Sequence, residues 1–256
     1  LISKKVKWYS ILLVTFTTLI VSILFIAQQS EDQQNKKHYS YEAIHANNGV
    51  IIHVMRSHPQ DIQLPSIHKN VADSGFYGIN GGFFWLEHLL SIAVENDVPS
   101  QGAAEEYGSG WYNVKYPRGT LVYDQASKQL TVQVVSSVDE LKVTDRSHYW
   151  AQGGVSMNLS DPVYWEDVMN IEVLPFADDT RLRSGIVYDQ DGFVYLIVST
   201  TQCTASQFRS AIMELEYPLI DGIFLDGDGS SQMLTDEISI PGDGRKITQM
   251  IRIKSQ

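Results

Sequence analysis

Two turns in this sequence set groups capable of acid–base and hydrogen-bonding chemistry beside glycines. In Leu225-Asp226-Gly227-Asp228-Gly229-Ser230-Ser231-Gln232-Met233, the apolar run Ile223-Phe224-Leu225 ends in an acid, then a turn with two glycines, then two hydroxyls. The apolar run reads as a buried strand, and the glycines permit positive φ and close approach of backbone to a ligand. A buried strand that ends in an acid before a Gly-rich loop delivers a carboxylate to a cleft. A plain surface turn would use the same residues, since Asp-Gly pairs are ordinary turn chemistry. The second turn, Gly78-Ile79-Asn80-Gly81-Gly82-Phe83-Phe84, carries an amide at its centre. A third stretch, Arg181-Leu182-Arg183-Ser184-Gly185-Ile186-Val187, leads a basic pair into a β-rich segment.

Taken together, and in this order, the three stretches resemble the phosphodiester glycosidase family, the N-acetylglucosamine-1-phosphodiester α-N-acetylglucosaminidase-like domains. The matching residues are Asn80 to Phe84, Arg183 to Gly185, Leu225 to Ser231, and a Pro-containing turn with an arginine, Pro241 to Arg245. The resemblance covers roughly residue 40 to the end, and its Asp-Gly-x-Gly-Ser-Ser motif is more specific than Asn-Gly-Gly alone. One position departs from the family pattern: the middle residue of its glycine triplet is Asp228 here. A carboxylate there would crowd or repel an anionic substrate, or else add a metal ligand or an acid.

The resemblance implies hydrolysis of a sugar-1-phosphodiester to free sugar and a phosphate monoester. The leaving group is good, so the harder task is to stabilise positive charge at the anomeric carbon while holding the anion. Glycosidases usually use two carboxylates for this; Asp226 is the candidate facing the sugar and Asp228 a possible second acid. Arg183 is the candidate for the phosphate, because a guanidinium makes bidentate, charge-assisted bonds to it, whereas Arg181 reads as structural or peripheral. Asn80 would bond sugar hydroxyls or an acetamide, since an amide both donates and accepts. Gly81 and Gly82, like Gly227 and Gly229, offer backbone close to a ligand. Ser230 and Ser231 would donate to phosphate oxygens or orient Asp226. No Gly-x-Ser-x-Gly elbow surrounds them, which argues against a serine nucleophile. A non-catalytic carbohydrate-binding or envelope-assembly module on the same fold is the alternative, and Asp228 motivates it.

The elements that must position these groups read as mostly extended. Val50 to Met55 is a β-branched run, Phe76 to Phe84 a strand ending in the Asn-Gly-Gly turn, and residues 119–124 and 129–135 alternate as a hairpin. Tyr149 to Met157 is a further Gly-rich segment. Gly185 to Tyr188 and Phe193 to Ser199 flank Asp189-Gln190-Asp191-Gly192, a strong hairpin signal. Leu86 to Glu95 reads as a short helix, although the resemblance favours strand and loop there. Thr204 caps a helix from about Ala205 to Glu216 with Phe208, Ala211, Ile212 and Leu215 on one face, and Pro218 stops it. Gly222 to Leu225 delivers Asp226, and Thr248 to Ile253 is the last strand. The expected class is α+β, with mixed, mostly antiparallel sheets and a few helices, preceded by one N-terminal transmembrane helix.

That helix is read from the start of the chain. Lys4, Lys5 and Lys7 precede a charge-free run of 20 residues, Trp8 to Ala27, about 30 Å long as a helix and matched to a bilayer core. Phe25-Ile26-Ala27 lacks the small residues of a cleavage site, which favours an uncleaved signal anchor. The basic flank, residues 1–7, then lies in the cytoplasm. A polar linker, residues 28–38, leads to an extracytoplasmic domain, residues 39–256, at a bacterial cell surface or periplasm. The lone Cys203 allows no intrachain disulfide, which fits a bacterial extracytoplasmic domain better than a eukaryotic secreted one.

Charge narrows the partners. The chain carries a formal net charge of −11. With Lys4, Lys5 and Lys7 set aside, 16 basic residues face 30 acidic ones, a net −14. Such a field does not attract nucleic acid and repels polyanions, so a phosphodiester would need a local positive site. Expected partners are therefore a sugar phosphodiester or envelope glycan, and the membrane through residues 8–27. The seven histidines, His38, His45, His53, His58, His68, His88 and His148, show no zinc-motif spacing. No cofactor is expected: Walker A and dinucleotide fingerprints are missing. A divalent cation near Asp226 and Asp228 is conceivable, because paired acids suit hard cations.

Overall fold

The structure, a computed structural model, describes residues 37–254. The expected basic flank, membrane-spanning run and all but the end of the polar linker lie outside the described residues. Among the described residues no helix is long and apolar enough to cross a membrane. From His38 onward the chain clusters as one unit.

Its centre is a six-stranded sheet in the order Tyr39–His45, Ile51–Ser57, Val194–Ser199, Ser184–Asp189, Leu219–Phe224, Val155–Ser156. The two middle strands are buried along their whole length, so alternate side chains feed two separate cores. Val187, Tyr195 and Ile197 pack on one face against Phe208, Ala211, Ile212, Trp165 and Met169. Ile186, Tyr188, Val194, Leu196 and Val198 pack on the other against Leu121, Trp150, Ile79 and Ile251. A sheet covered on both faces explains why these strands read as continuous apolar runs rather than polar–apolar alternation. Each fully buried aliphatic side chain contributes roughly 1.5–3 kcal/mol.

Helices cover the first face: α1, Trp165–Ile171, and α2, Ala205–Ile212. Two further sheets cover the second. One runs Gln129–Val135, Arg118–Asp124, Tyr149–Gly153, Ala93–Glu95, Val98–Pro99. The other runs Ser239–Ile240, Met233–Leu234, Gly78–Asn80, Ile247–Ile253, Ile62–Gln63.

The α+β class and the predominance of antiparallel pairing agree with the sequence. The mixed character does not appear, because every strand ladder among the described residues is antiparallel. Short hairpins join some neighbours, such as Tyr39–His45 with Ile51–Ser57, while others, such as Ile51–Ser57 with Val194–Ser199, come from distant parts of the chain. The Asp189–Gly192 turn is closed as expected, with Gly192 at φ +82 and the Asp189 carboxylate accepting from Phe193 N at 2.8 Å and from the Tyr195 hydroxyl at 2.5 Å.

Thr204 forms a capping box with Gln207, but α2 ends at Ile212, a turn earlier than expected. Glu214 and Leu215 donate to carbonyls only three residues back, so the chain tightens before Pro218. No helix forms over Leu86 to Glu95. Phe84–Trp85 pairs with His88–Leu89 across a two-residue turn, with Leu86 at φ +55, outside the helical region, and Ala93–Glu95 joins the second sheet. Helix α1 is an element the sequence reading did not contain.

Candidate functional site

The strand register fixes where Asp226 emerges. Phe224 pairs with Gly185, and Leu225 N donates to Ser184 O at 2.9 Å. Asp226 is thus the first residue past the edge of the central sheet, alongside Arg183, which enters the neighbouring strand. The next bonds tie the loop to its surroundings: Asp226 N to Gly81 O at 3.3 Å and Asp228 N to Leu182 O at 2.7 Å. A cleft of about 410 Å³ opens here, lined on one side by Phe83, Phe84, Trp85 and Leu86 and on the other by Leu174, Pro175 and Phe176. Arg181, Arg183, Arg245, Asp226, Gly227, Asp228 and Ser230 complete it.

Asp226 stands out electrostatically. Burial pushes its carboxyl up to about 6, against the opposing pulls of Ser230 and Arg245. The residue as a whole is only partly covered, so a group poised between its two protonation states meets the cleft. Ser230, buried beside it, exerts the stronger of these two opposing pulls. A titrating carboxyl in a cleft is the arrangement expected of a group that exchanges protons with a ligand.

The three arginines play different parts. Arg183, the expected phosphate ligand, is buried; its Nε donates to Cys203 O at 3.1 Å and its Nη2 to the carbonyls of Phe176, Ala177 and Asp179 at 2.7, 3.4 and 2.6 Å. Much of its hydrogen-bonding capacity thus holds the 176–179 loop, although it also lines the cleft. Burial lowers its pKa. Arg181, read from sequence as peripheral, reaches the cleft instead. Its Nη1 meets Asp228 Oδ2 at 2.8 Å, its Nη2 meets Asp179 Oδ2 at 3.0 Å, and its guanidinium lies 4.0 Å from the Phe176 ring centre. Arg245 is clasped by Asp243 at 2.5 Å.

Asp228 occupies the position where the family pattern has glycine, and its backbone lies in the left-handed region that glycine favours, φ +56. Asp tolerates the left-handed region better than most residues, at a cost of about 1 kcal/mol. Leu86 and Phe176, also cleft-lining, sit at φ +55 and +53. Such conformations persist where surrounding contacts over-determine the backbone, and they cluster at ligand sites. The contacts holding Phe176 start at the end of α1. Glu172 Oε2 accepts from Gly119 N at 2.7 Å and Ser156 N at 2.8 Å, while Arg118 donates to the carbonyls of Glu172 and Val173 at 2.9 and 3.0 Å.

Asn80, Gly81 and Gly82 are not among the residues that line the cleft, although Phe83 and Phe84 of the same turn are. Asn80 Nδ2 donates to Asp226 O at 2.8 Å and Gly81 O at 3.2 Å; its Oδ1 accepts from Ser184 Oγ at 2.8 Å and Gln232 N at 3.1 Å. Every hydrogen-bonding position of the amide is taken by protein. Gly81 and Gly82 are explained by packing as well. A β-carbon on Gly81 would strike the Gln249 amide, and one on Gly82 would lie 2.6 Å from Ser91 Cβ and 2.8 Å from Gly153 O. Ser231 is buried 3.0 Å from Ser184 Oγ, away from the cleft, whereas Gly229 lies under the Asp243–Arg245 pair.

The structure thus brings Asp226, Gly227, Asp228, Ser230 and Arg183 to one cleft and places Asn80, Gly81, Gly82, Gly229 and Ser231 around its base. Arg245, Phe176 and Trp85 were missed as site residues. Arg245 had a signal, its place in the Pro241–Arg245 turn. Phe176, 61% exposed, lies in a loop, and Trp85, 68% exposed, lies in a two-residue strand too short to show a periodicity. Among the described residues no group of three or more His, Cys, Asp or Glu side chains could hold a metal ion. Beside the Asp226–Asp228 loop stand guanidiniums that would repel a cation.

Comparison with solved structures supports a shared architecture. The catalytic domain of zebrafish N-acetylglucosamine-1-phosphodiester α-N-acetylglucosaminidase, auto-inhibited by its pro-peptide, superposes with a TM-score of 0.62 at 14% identity, over 87% of this chain and 85% of that one. This likeness is one of fold. A Burkholderia pseudomallei protein described as exported gives a TM-score of 0.37 at 12% identity, over 85% of this chain and 57% of that one, a value from which shared topology does not follow. No protein-family profile and no curated sequence matches the chain significantly.

Proposed function

We propose that this domain is a glycosidase that hydrolyses a sugar-1-phosphodiester, of an N-acetylglucosamine-like sugar, to free sugar and a phosphate monoester. The observation that carries the reading is a single carboxyl raised to about 6 in a cleft that also holds guanidinium groups and aromatic walls, on the fold of a phosphodiester glycosidase catalytic domain. Exposed Trp85 and Phe176 offer faces for a pyranose ring. Ionised Asp226 stabilises positive charge developing at the anomeric carbon and takes the proton of the incoming water. The bond between the anomeric carbon and the phosphate oxygen breaks, and the phosphate monoester leaves toward Arg245 and Arg181. Asn80 acts by fixing the backbone of Asp226 rather than by touching sugar. The charge-free run at residues 8–27 would tether the domain outside the cytoplasmic membrane.

The test is release of free sugar from a synthetic N-acetylglucosamine-1-phosphodiester by the purified protein, with Asp226→Asn as control. Release that is lost in the variant supports the assignment; equal release from both removes Asp226 from the chemistry.

One observation favours a second reading, a carbohydrate-binding module without turnover. Glycosidases ordinarily use two carboxylates, whereas Asp179, Asp228 and Asp243 are all engaged by arginines, leaving Asp226 as the single uncommitted acid lining the cleft. Glycan retained by the folded protein without hydrolysis would establish that reading.

A further inference from the structure

Asp228 is the feature that the proposed function does not absorb. Its carboxylate is not a spare acid. It sits 2.8 Å from Arg181 Nη1, the cleft-lining guanidinium that stacks on Phe176, and Asp179 takes the other side of the same guanidinium. The glycines flanking Asp228 and its left-handed backbone, φ +56, aim it back across the loop toward residues 181–182. The Asp228 side chain is 48% exposed and that of Arg181 28%. The carboxylate can therefore turn into water by rotation about its own side-chain bonds, while the guanidinium stays in place through Asp179 and Phe176.

Counting charge in the cleft shows what this does. Arg181, Arg183 and Arg245 face Asp179, Asp228 and Asp243, so the resting site is close to neutral before Asp226 is considered, and negative when Asp226 ionises. A phosphoryl group entering such a site gains little unless one internal anion leaves. Asp243 grips Arg245 through three contacts of 2.5–3.0 Å, whereas Asp228 holds Arg181 through one. Asp228 is the anion that yields.

Building on the glycosidase reading, we infer that Asp228 is a specificity-determining residue, an internal stand-in for the substrate's phosphoryl group that occupies Arg181 in the empty site and is displaced by it. Its effect is to weaken every small anion alike. Ligands with additional contacts, a sugar ring against Trp85 and Phe176, overcome that competition; inorganic phosphate, which has none, does not.

The test separates this from turnover. Inorganic phosphate is titrated calorimetrically into the wild-type domain, Asp228→Asn, Asp228→Gly and the double variant Asp228→Asn/Arg181→Ala. An exposed single-contact ion pair corresponds to about a 1.4-fold to fivefold change in affinity, so phosphate binds the two single variants tighter by a factor in that range, and Arg181→Ala abolishes the gain. The glycine variant suits the φ of this position, which guards against misfolding as an explanation. Equal phosphate affinity in wild type and both single variants overturns the inference, as does tightening that survives removal of Arg181, and so does an absence of phosphate binding in all four proteins. If tightening is seen but the phosphodiester is not hydrolysed, the displacement stands and the glycosidase reading falls; hydrolysis without tightening gives the reverse.

Discussion

The two Gly-rich turns meet at the cleft but do opposite work. In the Asp226–Ser231 turn the side chains of Asp226 and Asp228 line open space, with Ser230 buried behind them. In the Asn80–Gly82 turn the amide is consumed by four protein contacts and the glycines by close packing. Glycine beside a polar residue therefore has two causes, access for a ligand and access for a neighbouring strand. They part on whether the polar group has hydrogen-bonding capacity to spare.

The comparison implies that changes in one turn act on chemistry and changes in the other on stability. The largest effect is expected for Asp226→Asn, which should cut turnover of the phosphodiester by about 10²–10⁴-fold while circular dichroism stays unchanged. In the wild type kcat/KM should rise with pH through about 6, where Asp226 ionises; a flat profile would separate the carboxyl from the chemistry.

Asn80→Ala should do the reverse. It strands Gln232 N and Asp226 O, leaves Ser184 Oγ with Ser231 alone, and should cost about 2–4 kcal/mol in urea unfolding, with any loss of turnover following from the loosened Asp226 backbone. If Asn80→Ala instead leaves the unfolding midpoint alone and abolishes sugar binding, the division between the turns is wrong.

A third, smaller effect concerns pH and folding. The folded carboxyl of Asp226 titrates above its ordinary value of 3.8, so its ionisation opposes folding. The penalty is absent below about pH 4, grows as pH rises toward 6 and is complete above that. Asp226→Asn should therefore be more stable than the wild type at pH 7.5, by on the order of 1–2 kcal/mol once solvent screening of a partly exposed group is allowed for, and the gain should vanish at pH 4. Thermal melts of both proteins at the two pH values measure it.

The smallest effect belongs to Asp228→Gly. Relief of the left-handed backbone, about 1 kcal/mol, offsets loss of an exposed ion pair worth about 0.2–1 kcal/mol. The unfolding midpoint should barely move, so a large shift would show that Asp228 is structural like Asn80.

The fold is legible in the sequence where local chemistry decides the outcome. The Asp189–Gly192 hairpin, the Thr204 cap and the strand ahead of Asp226 all follow from turn, capping and apolar patterns within ten residues. It is illegible where tertiary contacts decide. Leu86 to Glu95 has a helix-compatible composition, yet Leu86 is held at positive φ and its neighbours join strands. That Arg181 lines the cleft beside Arg183 was not legible, because their partners, Asp228 and the carbonyls of Cys203 and residues 176–179, are set by folding rather than by spacing. The aromatic walls come from two segments far apart in sequence, Phe83 to Trp85 and the loop of Phe176, so no local pattern joins them.

Asn80 has one more consequence. It gathers the ends of three strands at a single point under the cleft, while the aromatic contacts lie outside that knot, on the Phe84–Leu89 hairpin and the 174–181 loop. Arg183 ties the 174–181 loop to the floor through three carbonyls, so the Phe84–Leu89 hairpin is the rim segment that can be exchanged or lengthened with less disturbance to the carboxyl, which makes it the natural place for grafting new recognition loops.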